Sequence, residues 1–316
     1  MNLPARARRA LATLLVWPLL AAAQPSTPLH YEVLVTDGAP RAGQHLPDGA
    51  PIVSSPVSST LVWGEHDALL VDPPLTLAQT AQVVAWIEKS GKHLRYVYST
   101  HGHADHWFGT AQVLARFPDA VAYATPGTIR LMERQGGPGR ARYERDFPGQ
   151  IGPSPVLAHP IPAEGLSLEG HAIVPVEVGH SDTDDTSVLH VPDLGLVVAG
   201  DVAYNGVHQY LLEGGHGGLE RWLDAIARVE ALHPRVVVAG HKQRARPDDP
   251  ACLDDTRRYV QDALRLLAAT PKPTPREFFD RMSALHPDRI NPGPLWYSGV
   301  GLLQPTPAAP ASAASS

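Results

Sequence analysis

Residues 101–106, His-Gly-His-Ala-Asp-His, place three imidazoles and a carboxylate within six positions. Clustered imidazoles add little to a core or a surface, so this chain must fold in a way that uses them. A short β-rich run, LRYVYST over 94–100, delivers the cluster. Three more apolar runs end in glycine followed by a titratable residue. They put His180 after VPVEVG, Asp201 after LVVAG and His241 after VVVAG. Each reads as the end of a strand. A rigid sheet can aim several such ends at one point, and glycine lets the backbone turn and approach closely. The expected fold is therefore one whose strand ends converge on the histidine cluster.

The rest of the chain supplies matching elements. HYEVLVTDG (30–38) reads as a strand, and STLVWGEHDALLVDP (59–73) as two strands joined by a turn at Gly64–Asp67, ending at Asp72. LAQTAQVVAWIEKSG has helical spacing, with Val83, Val84 and Ile87 on one face and Gly91 as the stop. WFGTAQVLARF reads as a helix and AVAYAT as a strand. HAIVPVEVG, TSVLHVP, LGLVVAGD and RVVVAGH read as strands, the last two buried on both faces. LERWLDAIARVEAL, DDTRRYVQDALRLLAAT and TPREFFDRMSAL read as helices. Between Gly136 and Pro162, glycine and proline weaken the pattern, and a short helix within a long loop is expected. That loop is either a lid or a plain surface insertion.

The first 23 residues differ in character. Arg6, Arg8 and Arg9 precede a 13-residue apolar run, Leu11–Ala23, and Ala21 and Ala23 set a small-x-small cleavage pattern. This is the layout of a secretory signal peptide, and the run is shorter than the roughly 20 residues of a membrane span. The expected organisation is a signal peptide (1–23), one domain (24–303) and a low-complexity disordered tail (304–316), with the mature protein periplasmic or secreted and not inserted in a membrane. The chain carries 26 basic and 32 acidic side chains. Removing the three leader arginines leaves 23 against 32, a net of −9, which argues against a nucleic-acid partner. Cys252 is the single cysteine, so no internal disulfide forms; it reads as a buried or helix-end residue.

Imidazole and carboxylate together suit zinc, and also iron or manganese. A tight turn can point His101 and His103 at one ion, Asp105 and His106 can serve a second, and a carboxylate such as Asp201 has two oxygens with which to bridge. The order Asp72, THGHADH, GHSDTDD, AGD and AGH resembles the five motifs of the metallo-β-lactamase fold superfamily over roughly residues 30–270. The resemblance implies an α+β fold, a four-layer αββα sandwich with the metals at one edge. Carried over residue by residue, it implies that His101, His103 and His180 hold one metal, that Asp105, His106 and His241 hold the second, and that Asp201 bridges them. Asp72 would support the metal loop by hydrogen bonding. Two divalent ions, zinc by expectation, would make hydroxide available at neutral pH and polarise the substrate oxygen, with Asp105 orienting the nucleophile and shuttling its proton.

The complete ligand set with Asp201 is similar to the lactonase and glyoxalase II type. The sequence departs from it after the cluster, where Phe108–Gly109 replaces a common Gly-Gly pair, and in the acidic SDTDDT segment. Asp182, Asp184 and Asp185 there either support ligands or form a solvated turn. Beyond Asp201, Tyr204 and His208 are candidates to donate to a substrate carbonyl or leaving group, and Asn205 and Tyr210 lie in the same stretch. Trp107 either lines the pocket or plugs the core, and Ser181 reads as a loop serine, since no nucleophile elbow, P-loop or Rossmann pattern occurs. The expected protein is an exported dinuclear hydrolase acting on a small neutral or cationic ester, lactone or amide. The alternatives are a β-lactamase, an iron-dependent enzyme like the persulfide dioxygenases, and a metal-binding protein with a vestigial site.

Overall fold

A computed structural model of the chain describes residues 27–303; the expected signal peptide and tail lie outside the described residues. The N-terminal half runs β1 (His30–Thr36), a hairpin of β2 (Pro40–His45) and β3 (Pro51–Val53), β4 (Val57–Trp63), β5 (Asp67–Val71), α1 (Leu77–Ser90), β6 (His93–Tyr98), α2 (Thr110–Arg116), β7 (Val121–Ala124), α3 (Pro126–Gly136), α4 (Arg140–Asp146) and β8 (His159–Pro160). The C-terminal half runs β9 (Leu166–Leu168), β10 (His171–Gly179), β11 (Thr186–Val191), β12 (Leu196–Asn205), α5 (Gly218–Glu230), β13 (Val236–Lys242), α6 (Ala251–Leu267), α7 (Pro275–Leu285) and α8 (Gly293–Leu303). Two main sheets result. One has the order β1-β4-β5-β6-β7-β8, the other β13-β12-β11-β10-β9.

Period-two alternation stacks these sheets between helices. On β5, Leu69 and Val71 face the other sheet and pack with Leu189, Val198 and Val238. Ala68 and Leu70 point the opposite way, onto Val83 and Ile87 of α1 and Val113 of α2. On β12 and β13, Val197, Ala199, Val237 and Ala239 point outward onto Trp222 and Ile226 of α5 and Val260 of α6. The layers are therefore helix, sheet, sheet, helix, which is the αββα arrangement expected. Among the described residues, no helix is long and apolar enough to cross a membrane.

Several elements depart from the sequence reading. The helix after the histidine cluster begins at Thr110, because Trp107 and Phe108 are drawn into a turn and a separate core with Met132, Tyr143 and Phe147. Trp107 is thus a core plug, its indole donating to the Gly102 carbonyl at 3.1 Å. Helices α3 and α8 went unrecognised; α3 starts at a Thr125 cap with Pro126 at its first position. The segment after Gly136 does contain one short helix, α4.

Candidate metal centre

The histidine cluster lies between β6 and α2, where a short 3-10 turn over Ala104–His106 rotates successive side chains around one point. Asp72, just past β5, fixes that turn from 28 and 34 residues away. Its Oδ1 accepts from the Thr100 N–H at 2.8 Å, and its Oδ2 accepts from the Thr100 hydroxyl at 2.8 Å and from His106 Nδ1 at 3.0 Å. Asp72 adopts a left-handed φ of 56°, which Asp tolerates better than most residues. The support role expected of it is the role seen.

Asp201 does not end a strand, as the sequence suggested. It sits inside β12, where the pairing with β13 shifts register between Val198 and Tyr204 and re-aims the side chain. Close approach there requires glycine. A Cβ on Gly240 would lie 2.1 Å from Asp201 Oδ1, and one on Gly200 would lie 2.4 Å from Thr100 Oγ1. Asp201 is central: its Oδ2 is 3.1 Å from His241 Nε2 and 4.0 Å from His101 Nε2, and its Oδ1 is 3.3 Å from His106 Nε2. Burial penalises the Asp201 charge, but His241 and His106 outweigh it and hold its pKa well below the usual carboxylate range.

Two groups of ligand atoms surround this carboxylate. In the first, atoms of His101, His103, Asp182 and Asp201 all lie within 4.8 Å of one another; in the second, atoms of Asp105, His106 and His241 do. The second group is the one expected. The first brings in Asp182 where His180 was expected. His180 is buried next to Gly218 at the start of α5, its Nδ1 donating to Asp184 Oδ1 at 2.6 Å. The acidic loop therefore divides its labour: Asp182 is buried in the cluster, Asp184 orients His180, and Asp185 faces solvent opposite Arg130. Composition gave no means of telling these three aspartates apart. Burial, with the neighbouring Asp201 charge, brings Asp182 up to about 7 against the opposing pull of His103.

His101, His106 and His241 follow a common plan: Nδ1 is engaged and Nε2 faces Asp201. The engaging groups are Thr100 Oγ1 for His101, Asp72 for His106 and the Pro56 carbonyl, 2.8 Å away, for His241. His103 is gripped on both sides, by Asp182 at Nδ1 and by Glu213 at Nε2, each at 2.9 Å. Glu213 also accepts from the Thr183 hydroxyl; the sequence reading had missed this residue. His101 Nε2, His106 Nε2 and Asp201 Oδ1 are buried within the cluster without a hydrogen-bond partner. Orphaned buried polar atoms are costly and rare, and three gathered in one cluster fit divalent-cation binding.

The other candidates resolve differently. Tyr204 borders the cavity, but its hydroxyl donates to Asp201 Oδ2 at 2.6 Å, and burial next to that charge raises its pKa well above the usual phenol value. It is a neutral brace on Asp201, already committed to that bond and so not a donor to substrate. His208 is a correction. It points away from the cavity and into the packing of α6, its Nδ1 3.0 Å from the Tyr259 hydroxyl. Burial, with Arg289 and His286 nearby, holds its pKa down at about 3, so it is neutral and remote from the ligands. Asn205 Nδ2, at the end of β12, donates to the Pro247 carbonyl, and the Ser181 hydroxyl donates to Asp182 within its loop. Cys252 is buried at the start of α6.

An open cavity of about 590 Å³ lies over the ligands, bordered by His103, Asp105, Asp182, Asp201, Glu213 and His241. Its outer wall comes from β2, α4 and α8 and includes Arg41, Arg142, Tyr143, Tyr297 and, from the loop after β12, Tyr210.

A family model described as the metallo-beta-lactamase superfamily matches residues 54–241. A hydroxyacylglutathione hydrolase from Synechococcus sp. (strain CC9605) is 41% identical over 59 residues, 19% of this chain and 22% of that protein. The chain thus spans about a fifth of the length of that curated relative. Among solved structures, a metallo-beta-lactamase family protein from Thermus thermophilus has a TM-score of 0.58 at 16% identity, covering 86% of this chain and 91% of that one. The metallo-beta-lactamase FIM-1 from Pseudomonas aeruginosa, in its mono-zinc form, has a TM-score of 0.52 at 18% identity, covering 74% and 92%. At these identities the two structural likenesses speak for the fold.

Proposed function

The chain belongs to the metallo-beta-lactamase superfamily, and from that premise we propose that it is an exported hydrolase that holds two divalent cations, zinc by expectation, and cleaves a small ester, lactone or amide. The observation that carries the reading is the group of buried, unpartnered ligand atoms around Asp201, beside an open cavity that Asp105, Asp201 and His241 border. His101, His103, Asp182 and Asp201 would hold one cation, and Asp105, His106 and His241 a second. Bound there, the cations acidify water and withdraw electron density from an acyl oxygen. Asp105, which borders the cavity and is 28% exposed at its side chain, is placed to take a proton from water and pass it to the leaving group. Water's oxygen bonds to the acyl carbon, the acyl–oxygen or acyl–nitrogen bond breaks, and the departing group leaves with that proton. Tyr204 and Asp72 keep Asp201 and His106 from turning during this exchange. The relative named for hydroxyacylglutathione hydrolysis supports an acyl substrate.

The test is turnover by the mature, zinc-loaded protein on a lactone and a cephalosporin side by side, with metal content measured on the same sample. Lactone opening with two metals per chain is expected. Cephalosporin opening alone would assign it to the β-lactamases. Bound iron with oxygen uptake would replace hydrolysis by oxygenation, and a zinc-loaded protein inert to both would refute the stated substrate class.

A further inference from the structure

The outer wall of the cavity has a charge unlike the rest of the chain. Asp146, at the end of α4, is 2.8 Å from Arg41, 3.6 Å from Arg145 and 4.0 Å from Arg142. Three guanidiniums thus surround one carboxylate. The bond at hydrogen-bonding distance goes to Arg41, which also lies over the rings of Phe147 and Tyr297. Arg145 is largely exposed to solvent. Arg142 is left on the cavity wall, 47% exposed at its side chain and lying over the Tyr143 ring, and its guanidinium donates no hydrogen bond among the described residues. Beside it, Tyr297 and Tyr210 border the same cavity, their rings 5.8 Å apart, and neither hydroxyl has a hydrogen-bond partner among the described residues. Tyr210 in turn meets His103 edge-on at 5.3 Å, so this wall adjoins the ligand cluster.

A guanidinium and two phenols, all free to donate, form an acceptor site for a planar anion, since Arg matches a carboxylate with two parallel bonds. Arg41 makes the hydrogen bond to Asp146, which leaves the Arg142 guanidinium, 4.0 Å away, with its donors uncommitted. We propose that Arg142, with Tyr297 and Tyr210, binds a carboxylate carried by the substrate, so that the protein hydrolyses anionic acyl compounds. The sequence-level expectation of a neutral or cationic substrate is thereby revised: the net charge of the chain is negative, but the cavity wall is locally positive. The proposal rests on the hydrolase reading for its turnover arm only.

The test compares metal-loaded wild type with Arg142→Gln and Tyr297→Phe, using mono-p-nitrophenyl glutarate and the uncharged p-nitrophenyl pentanoate. Wild type is expected to favour the glutarate ester. The ratio of kcat/KM between the two esters should fall roughly 10- to 100-fold in Arg142→Gln, mainly through KM, and a few-fold in Tyr297→Phe. A ratio within about twofold of wild type in Arg142→Gln would overturn the proposal. Calorimetric titration with glutarate separates the two readings. If neither ester is cleaved, hydrolysis of such esters is withdrawn, while glutarate binding weakened about tenfold or more by Arg142→Gln still sustains the subsite. Binding that is absent in wild type or equal in both proteins refutes the subsite.

Discussion

Asn in place of Asp72 keeps the size of the side chain and its tolerance of the left-handed φ of 56°, and removes only the charge. The amide oxygen can still accept from the Thr100 N–H, so the bond at Oδ1 survives. At Oδ2 the carboxylate now receives both the Thr100 hydroxyl and His106 Nδ1; an NH2 group there faces two donors. The hydroxyl can turn away from the amide, but the ring of His106 has no such choice. Each charge-assisted bond is worth about 1.5–3 kcal/mol, so losing one outright and weakening another amounts to about 2–4 kcal/mol. In a domain of this size that lowers the melting temperature by roughly 5–15 °C. Because His106 would no longer be held with Nε2 toward Asp201, metal affinity should fall about 10- to 100-fold. Thermal unfolding of the metal-stripped protein and a zinc titration against a chromophoric chelator measure the two effects separately. A melting temperature within about 2 °C of wild type, together with affinity within about threefold, would refute the claim that Asp72 positions the cluster.

Asp182→Asn should weaken zinc binding about 10- to 100-fold. The same change at Asp184, which touches only His180 and Arg221, should do less, and equal effects would remove Asp182 from the ligands. Tyr204→Phe leaves Asp201 Oδ2 without its 2.6 Å donor and should reduce metal affinity about tenfold with little change in stability, as read by the same titration. His208→Asn should leave two metals per chain, since His208 belongs to neither ligand group. His208 is depressed to about 3 when folded, so its neutral form adds stability that is full above about pH 6.5 and is lost as pH falls toward 3. That contribution is on the order of 4 kcal/mol, and the variant should show a shallower stability loss between about pH 6.5 and 4 in denaturant titrations of metal-free protein. Identical slopes for the two proteins would contradict this account of His208.

Much of the fold was readable because burial leaves a periodic trace. Leu69 and Val71 alternate with Ala68 and Leu70 along β5, and each pair packs into a different layer. Val83 and Ile87 mark the inner face of α1, and Gly91 ends it in the left-handed conformation that suits a glycine stop. Helix α8 escaped notice because its apolar residues are not gathered on one side, and α3 because glycine and charged residues dilute its pattern. The ligands in the 101–106 cluster, together with Asp201 and His241, were legible for a chemical reason: imidazoles and carboxylates after apolar strands have few other uses.

What the sequence alone determined is therefore the inventory: the layers, the order of the strands' polar ends, and the donor types. Direction was decided in three dimensions. Asp182 enters the cluster, and Asp184 does not, because the backbone of the 181–186 loop turns one inward and leaves the other in solvent. His208 faces Tyr259, and Tyr204 braces Asp201, according to how the chain leaves the irregular end of β12. The grip of the Pro56 carbonyl on His241 spans 185 residues, and the meeting of Arg41 with Asp146 spans 105. Such pairings leave no local pattern, because they depend on where two sheets and their covering helices bring distant backbone together.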